Sequence, residues 1–271
     1  MIRLDQFWSL LFSAFLLFSC AENQVTGRRQ LLLLPENELQ NMASDQYRSF
    51  LSQVKVQNAK GGNDAAMVQK VGTRIAAAIK QYYETQGKGN LLDGYRWEFN
   101  LIQNTEINAW CMPGGKVAVY AGLLPVAENE AGLAVVMGHE IAHAIALHGN
   151  ERMSQGLVQQ LGSIGLQVAL ADKPAETQNI FMQAYGIGTN LGAMLPFSRK
   201  QELEADRFGL IFAAMAGYDP QEAIPFWQRM SAAGGQKPPE FMSTHPSDAT
   251  RIAKMKGYIQ EAMRFYKLSS K

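Results

Sequence analysis

Residues 130–147 read EAGLAVVMGHEIAHAIAL, a stretch that is apolar almost throughout and carries only Glu130, His139, Glu140 and His143 as ionisable groups. A helix that is hydrophobic on all sides is a buried helix, so the segment predicts a central core element rather than a surface one. Four residues advance a helix by about 400°, which sets His139 and His143 on one face, one turn apart, where both rings can grip the same ion. Glu140 points to the side, within reach of water held at that ion. Burying two imidazoles and a carboxylate without partners would cost several kcal/mol each, and a bound cation removes that cost.

A catalytic zinc takes three protein ligands and keeps one open position, so a third ligand is required downstream, either a carboxylate or a histidine. The chain has four histidines. His148 lies five residues past His143, which turns it about 140° off the ligand face and makes it a supporting or structural group. The carboxylates cluster at 202–206, ELEAD, on a predicted helix. Glu202 and Asp206 share a face there, one turn apart, while Glu204 lies almost opposite Glu202. That face suits a division of labour, one carboxylate on the metal and the other accepting from the free N–H of a ligand histidine.

Outward from this centre, Tyr95 to Ile102 alternates with period two, and Ile107–Met112 and Lys116–Tyr120 are β-prone runs separated by Pro113-Gly114-Gly115. Helical spacing covers Glu36–Val56, Ala65–Tyr83, Met153–Leu170, Ala175–Met194, Arg199–Ala216, Pro220–Ala233 and Ser247–Tyr266. The expected fold class is α+β, mostly helical, with a small sheet. Gly234 to Pro239 is a candidate lid before His245, and Gly156, Gly162, Gly165, Gly186, Gly188 and Gly192 suggest close helix packing.

The 271 residues carry a formal net charge of +1 and no block of like charge, so no footprint for nucleic acid is present. Residues 1–19 combine Arg3 with an apolar run from Phe7, too short for a membrane span, and read as a signal peptide. Leu17-Phe18-Ser19-Cys20 resembles a lipobox, which makes Cys20 the expected lipidation site and membrane anchor. Residues 20–35 are then a lipidated tether whose Leu31–Leu34 docks, and 36–271 a single domain. Arg28-Arg29 in that tether is a candidate contact for anionic lipid. Cys111, the second of two cysteines, has no intrachain partner if Cys20 is acylated.

His139–His143 together with Ser198–Asp206 resembles the HExxH and SRxxExxAD signatures of the gluzincin family of zinc metalloproteases that includes HtpX, the mitochondrial Oma-type protease and the CAAX prenyl protease. Asn108–Gly115 resembles its NAFxxPGG segment, and Thr244–Ser247 with Arg251 its HPxxxxR motif. The resemblance implies a zincin-type metalloprotease domain with one Zn2+ per chain on His139, His143 and Glu202, with Glu140 as general base and Asp206 supporting a ligand. It implies that the substrate backbone pairs along the edge strand at Asn108, Ala109, Trp110 and Cys111, backed by Val117–Tyr120. His245 is expected at the metal, as an oxyanion stabiliser or a fourth ligand, and Arg251 on a carboxylate or near the oxyanion.

Unlike the multi-span members, this chain has no span after residue 19, and no tetratricopeptide repeat. It is therefore similar to the short lipid-anchored periplasmic branch. The expected substrates are unfolded or misassembled envelope proteins, at the periplasmic face of the outer membrane in a Gram-negative-type bacterium, with outer-membrane assembly machinery as a further partner. The rival expectation is a periplasmic chaperone or docking subunit with a latent zinc site. A purely structural zinc module fits less well, because two histidines and one carboxylate leave a coordination position open.

Overall fold

The computed structural model describes residues 20–57, 62–158, 177, 180, 197–233, 239–245 and 249–269. In chain order the elements are β1 (Cys20–Glu22), β2 (Arg29–Leu31), α1 (Glu36–Gln53), β3 (Val56–Gln57), α2 (Asn63–Thr85), β4 (Glu98–Ile102), β5 (Ala109–Met112), β6 (Lys116–Tyr120), α3 (Leu124–Ala127) and α4 (Glu130–Ile145). There follow α5 (His148–Val158), α6 (Arg199–Met215), α7 (Ala223–Ala233), α8 (Glu240–Thr244) and α9 (Ala249–Ser269). The α+β expectation stands.

The sheet runs β3-β4-β6-β5, with β4 and β6 parallel and both outer pairs antiparallel. Alternation sorts β6: Val117 and Val119 join a core with α2, α4 and α6, while Ala118 turns to a second cluster with Tyr47 of α1 and Met153 of α5. Helices therefore cover both faces, and Lys116 to Val119 are all buried. Gly114 (φ 75°) and Gly115 (φ 82°) make the turn between β5 and β6, a backbone conformation that disfavours a Cβ.

Every residue of α4 from Gly132 to Ile145 is buried. Asn129 starts the helix by accepting a hydrogen bond from Gly132 N at 2.9 Å. Its main neighbour is α6, opened by a capping box in which Ser198 Oγ accepts from Gln201 N and Ser198 N donates to Gln201 Oε1. The two axes approach closely through Gly138 and Gly209: a Cβ at Gly209 would stand 2.7 Å from His139 N, and one at Gly138 2.5 Å from Gly209 O. Glycine at this crossing lets the carboxylates of α6 reach the histidines of α4. No single described helix is long and apolar enough to cross a membrane. The bent pair α4 and α5 passes that test together, but α4 is core.

Several boundaries differ from the sequence reading. The helix expected from Met153 begins at His148, because Leu147 adopts φ 56° and breaks α4 with a bend of 53°. Val56 belongs to a short edge strand rather than to α1, and β4 begins at Glu98 because Arg96 N and Glu98 N bond the carbonyls of Gly114 and Gly115 in the neighbouring turn. Residues 20–31, expected within a tether, form a hairpin packed on the domain, with Asn23 and Gln30 only 4% and 1% exposed. Arg28 is engaged with Glu151 and Glu204 rather than left for lipid. Residues 1–19, all but Thr177 and Ile180 of the helix expected at Ala175–Met194, the expected helix beyond Val158, and 234–238 of the candidate lid lie outside the described residues.

Candidate metal centre

His139 and His143 project from one face of α4 with their Nε2 atoms 3.1 Å apart. Against them α6 brings Glu202, whose Oε1 lies 3.4 Å from His143 Nε2 and whose Oε2 lies 3.6 Å from His139 Nε2. His245, immediately after α8, adds Nδ1 at 3.3 Å from His139 Nε2 and 3.0 Å from Glu202 Oε1. All four side chains are buried. Donors on a tetrahedral zinc with bonds of about 2.0–2.1 Å sit roughly 3.3–3.4 Å from one another, so this donor set fits such an ion. Glu140 supports the fit: it is 2% exposed, its Oε1 accepts no hydrogen bond from the described residues, and it lies 3.5 Å from His245 Nε2 at the edge of the cluster.

Around the donors stands a second ring of polar groups. His139 Nδ1 faces Asp206 Oδ1 at 3.1 Å, and Arg251 clamps Asp206 with Nε and Nη2 at 2.8 and 2.7 Å. The same guanidinium places Nη1 2.7 Å from Glu202 Oε2. Arg251 thus contacts two carboxylates. His143 Nδ1 lies 3.0 Å from Nδ1 of His148, whose Nε2 lies 3.0 Å from Glu204 Oε2. An unbroken helix would carry His148 off the ligand face; the bend at Leu147 turns its ring back onto His143.

Aromatic faces close the pocket. Phe241 stacks on His245 with centroids 4.4 Å apart, and Phe197 lies 3.9 Å over His143 with the Arg152 guanidinium on its far side. This lining strengthens every charge interaction inside. Burial opposes the charge on Glu202, but the facing His245, with hydrogen bonds to His143 and His245, outweighs it and holds the carboxyl well below its usual range. Burial pushes Glu140 up, against the pull of His245 and His139. Burial likewise keeps His143 neutral, the form a metal ligand needs.

The strand expected to bind substrate, β5, is the edge of its sheet and packs beside α4. Asn108 O accepts from Tyr120 N at 3.0 Å, and Ala109 and Cys111 are buried towards the core. Trp110 is half-buried with its edge against Tyr47 and Phe50. What β5 offers outward is backbone. Cys111 is a free, buried thiol, pushed up by burial and by the nearby Glu140 carboxylate. Cys20 pairs with Leu31 at the open end of the hairpin.

Sequence reasoning missed Phe197, Arg152, Gly138 and Gly209, and it left Arg28 at the membrane. No local periodicity marks them; they matter through segments distant in the chain.

A buried donor set on an HExxH helix, completed by a second helix and flanked by a buried glutamate, has the form of a metallopeptidase centre. The chain belongs to Peptidase family M48, whose model it matches over residues 63–259. It is 34% identical to the mitochondrial metalloendopeptidase OMA1 of Schizosaccharomyces pombe over 241 residues, covering 88% of this chain and 66% of that protein. It is 29% identical to the mitochondrial metalloendopeptidase OMA1 of Homo sapiens, covering 95% of this chain and 49% of that one. With the beta-barrel assembly-enhancing protease of Escherichia coli it shares 32% identity over 163 residues, 58% of this chain and 33% of that protein.

Proposed function

We propose that the protein is a zinc-dependent metalloendopeptidase, with zinc held by His139, His143 and Glu202 and with Glu140 as general base. The observation that carries this is the convergence of three imidazole nitrogens and a carboxylate oxygen, with neighbouring donors 3.0–3.4 Å apart beside the buried Glu140. Zinc bound there would supply Lewis acidity towards a scissile carbonyl and towards water. Glu140 Oε1 takes the proton of the attacking water and returns it to the leaving amine, a role suited to a carboxyl raised by burial. Asp206 and Arg251 hold His139 and Glu202 in place. The backbone of β5 at Asn108, Ala109, Trp110 and Cys111 aligns an extended peptide as an added strand, a mode with little side-chain selectivity. His245 completes the donor set in the closed arrangement; displaced by substrate, it remains beside Glu140 to donate a hydrogen bond to the oxyanion.

For cellular context, the lipobox-like Leu17–Cys20 and the name of the Escherichia coli relative support a protease tethered through Cys20 at the periplasmic face of an outer membrane. Its substrates would be unfolded or misassembled envelope proteins, with the assembly machinery as partner. Fractionation and the mass of the N-terminal peptide test the anchor: an unmodified Cys20 would remove it.

The central test is Glu140→Gln. Purified variant should retain one zinc per chain and lose at least about 100-fold in casein cleavage. Wild-type cleavage by this variant would refute the assignment. A second reading, a chaperone or docking subunit with a latent site, is favoured by one observation: His245 already sits among the donors, where it closes the position water needs. Full rescue of envelope-assembly stress by Glu140→Gln would select it.

A further inference from the structure

Three side chains of the N-terminal hairpin converge on the metal centre from behind. Arg28 donates from Nε to Glu204 Oε1 at 2.7 Å and from Nη1 and Nη2 to the two oxygens of Glu151 at 2.5 and 2.6 Å. Asn23 Nδ2 and Gln30 Nε2 both donate to Ala146 O, at 3.0 and 2.9 Å, the carbonyl beside the strained Leu147 where α4 ends. The hairpin therefore holds both the helix break that aims His148 and the carboxylate that receives it.

Proton placement makes the contacts directional. A neutral His143 that presents a lone pair at Nε2 carries its proton on Nδ1 and donates to His148 Nδ1, 3.0 Å away. His148 then carries its own proton on Nε2 and donates to Glu204 Oε2, also at 3.0 Å. Glu204, 16% exposed, is paired with and aimed by Arg28, which is 13% exposed. Each ligand histidine thus has a carboxylate behind it: Asp206 acts on His139 directly, and Glu204 acts on His143 through His148, which is fully buried.

We propose that Arg28, Glu204 and His148 are positioning residues of the zinc site, a chain of contacts through which the N-terminal hairpin sets the orientation and proton placement of His143. The inference rests on the reading of His143 as a zinc ligand. Groups that orient ligand histidines change metal affinity by about 10–100-fold. A hairpin that merely ties down the N-terminus would change stability and leave the metal untouched.

The test measures zinc affinity by chelator competition and the visible absorption of the cobalt-substituted full chain. His148→Phe keeps a ring and removes both contacts, whereas His148→Asn returns an acceptor near Nδ1 and loses Glu204. Glu204→Gln and Arg28→Gln act further out. Arg207→Gln is the control, since it removes an ion pair of the same helix, to Glu261 at 2.7 Å, away from the site. The expected result is zinc affinity at least about 10-fold weaker in His148→Phe, Glu204→Gln and Arg28→Gln, a shifted cobalt band in each, and partial recovery in His148→Asn. Arg207→Gln should match wild type in both readouts. Wild-type affinity and spectrum in all three variants, whatever their melting temperatures, would overturn the proposal. Stoichiometric zinc in His139→Ala and His143→Ala would instead overturn the ligand assignment beneath it.

Discussion

Glu140 and Glu202 are buried against the same histidines, yet their surroundings drive them apart. Glu202 lies against His245, His143 and Arg251, so it stays ionised; Glu140 Oε1 has no hydrogen-bond donor among the described residues and is pushed up by burial. Paired carboxyls with opposite shifts are how one site assigns a base and a ligand. Glu36, at the start of α1, shows the same physics away from the site. Burial raises it to about 7 from 4.5, opposed by a hydrogen bond from Asn150. The folded state therefore binds this proton more tightly than the unfolded one, a stabilisation complete below about pH 4.5 and gone above about pH 7. Glu36→Gln should match wild type near pH 4.5 and exceed it above pH 7 by about 1–2 kcal/mol, allowing for partial solvent access. Melting curves across that range check it, and a pH-independent difference would contradict it.

At the scale of elements, the crossing of α4 and α6 decides whether the centre exists. The spacing of His139 to His143 and of Glu202 to Asp206 was legible because a helix advances 100° per residue whatever surrounds it. The contact joining these two faces was not: Gly138 and Gly209 look like ordinary helix glycines, and their meaning is a backbone approach across some seventy positions. Gly209→Ala should cost about 1–3 kcal/mol by overpacking and weaken zinc binding, because the backbone at Gly138 and His139 has no room to yield. Thermal unfolding with zinc titration checks both. The break between α4 and α5 was missed for a related reason: Leu147 is a good helix former, yet it stands at φ 56° beside Ala146 O, which receives Asn23 and Gln30 from over a hundred positions away.

For the whole molecule, the centre ties α4, α6, the segment after α8 and, through Arg251, α9 into one body, so its occupancy should be felt globally. A ligand that binds only the native state stabilises it by mass action. Removing zinc with a chelator should lower the melting temperature and restoring zinc should recover it, while His139→Ala should melt at one temperature with or without chelator. Calorimetry decides this, and chelator-insensitive wild type would argue against a site coupled to folding.

The residue types, their helical spacing, the two-residue alternation of the strands and the turn at Gly114-Gly115 follow from local stereochemistry, and so the sequence alone determined an α+β chain with a metal-binding helix and a carboxylate helix. Tertiary structure alone decided that His245, expected at the metal in either of two roles, stands among the donors, that His148 is turned back onto His143, and that Arg28 leaves the expected tether to brace Glu204. Dihedral preferences act over a few residues, whereas these three depend on which buried surfaces and charges meet, and packing settles that only when the whole chain is assembled.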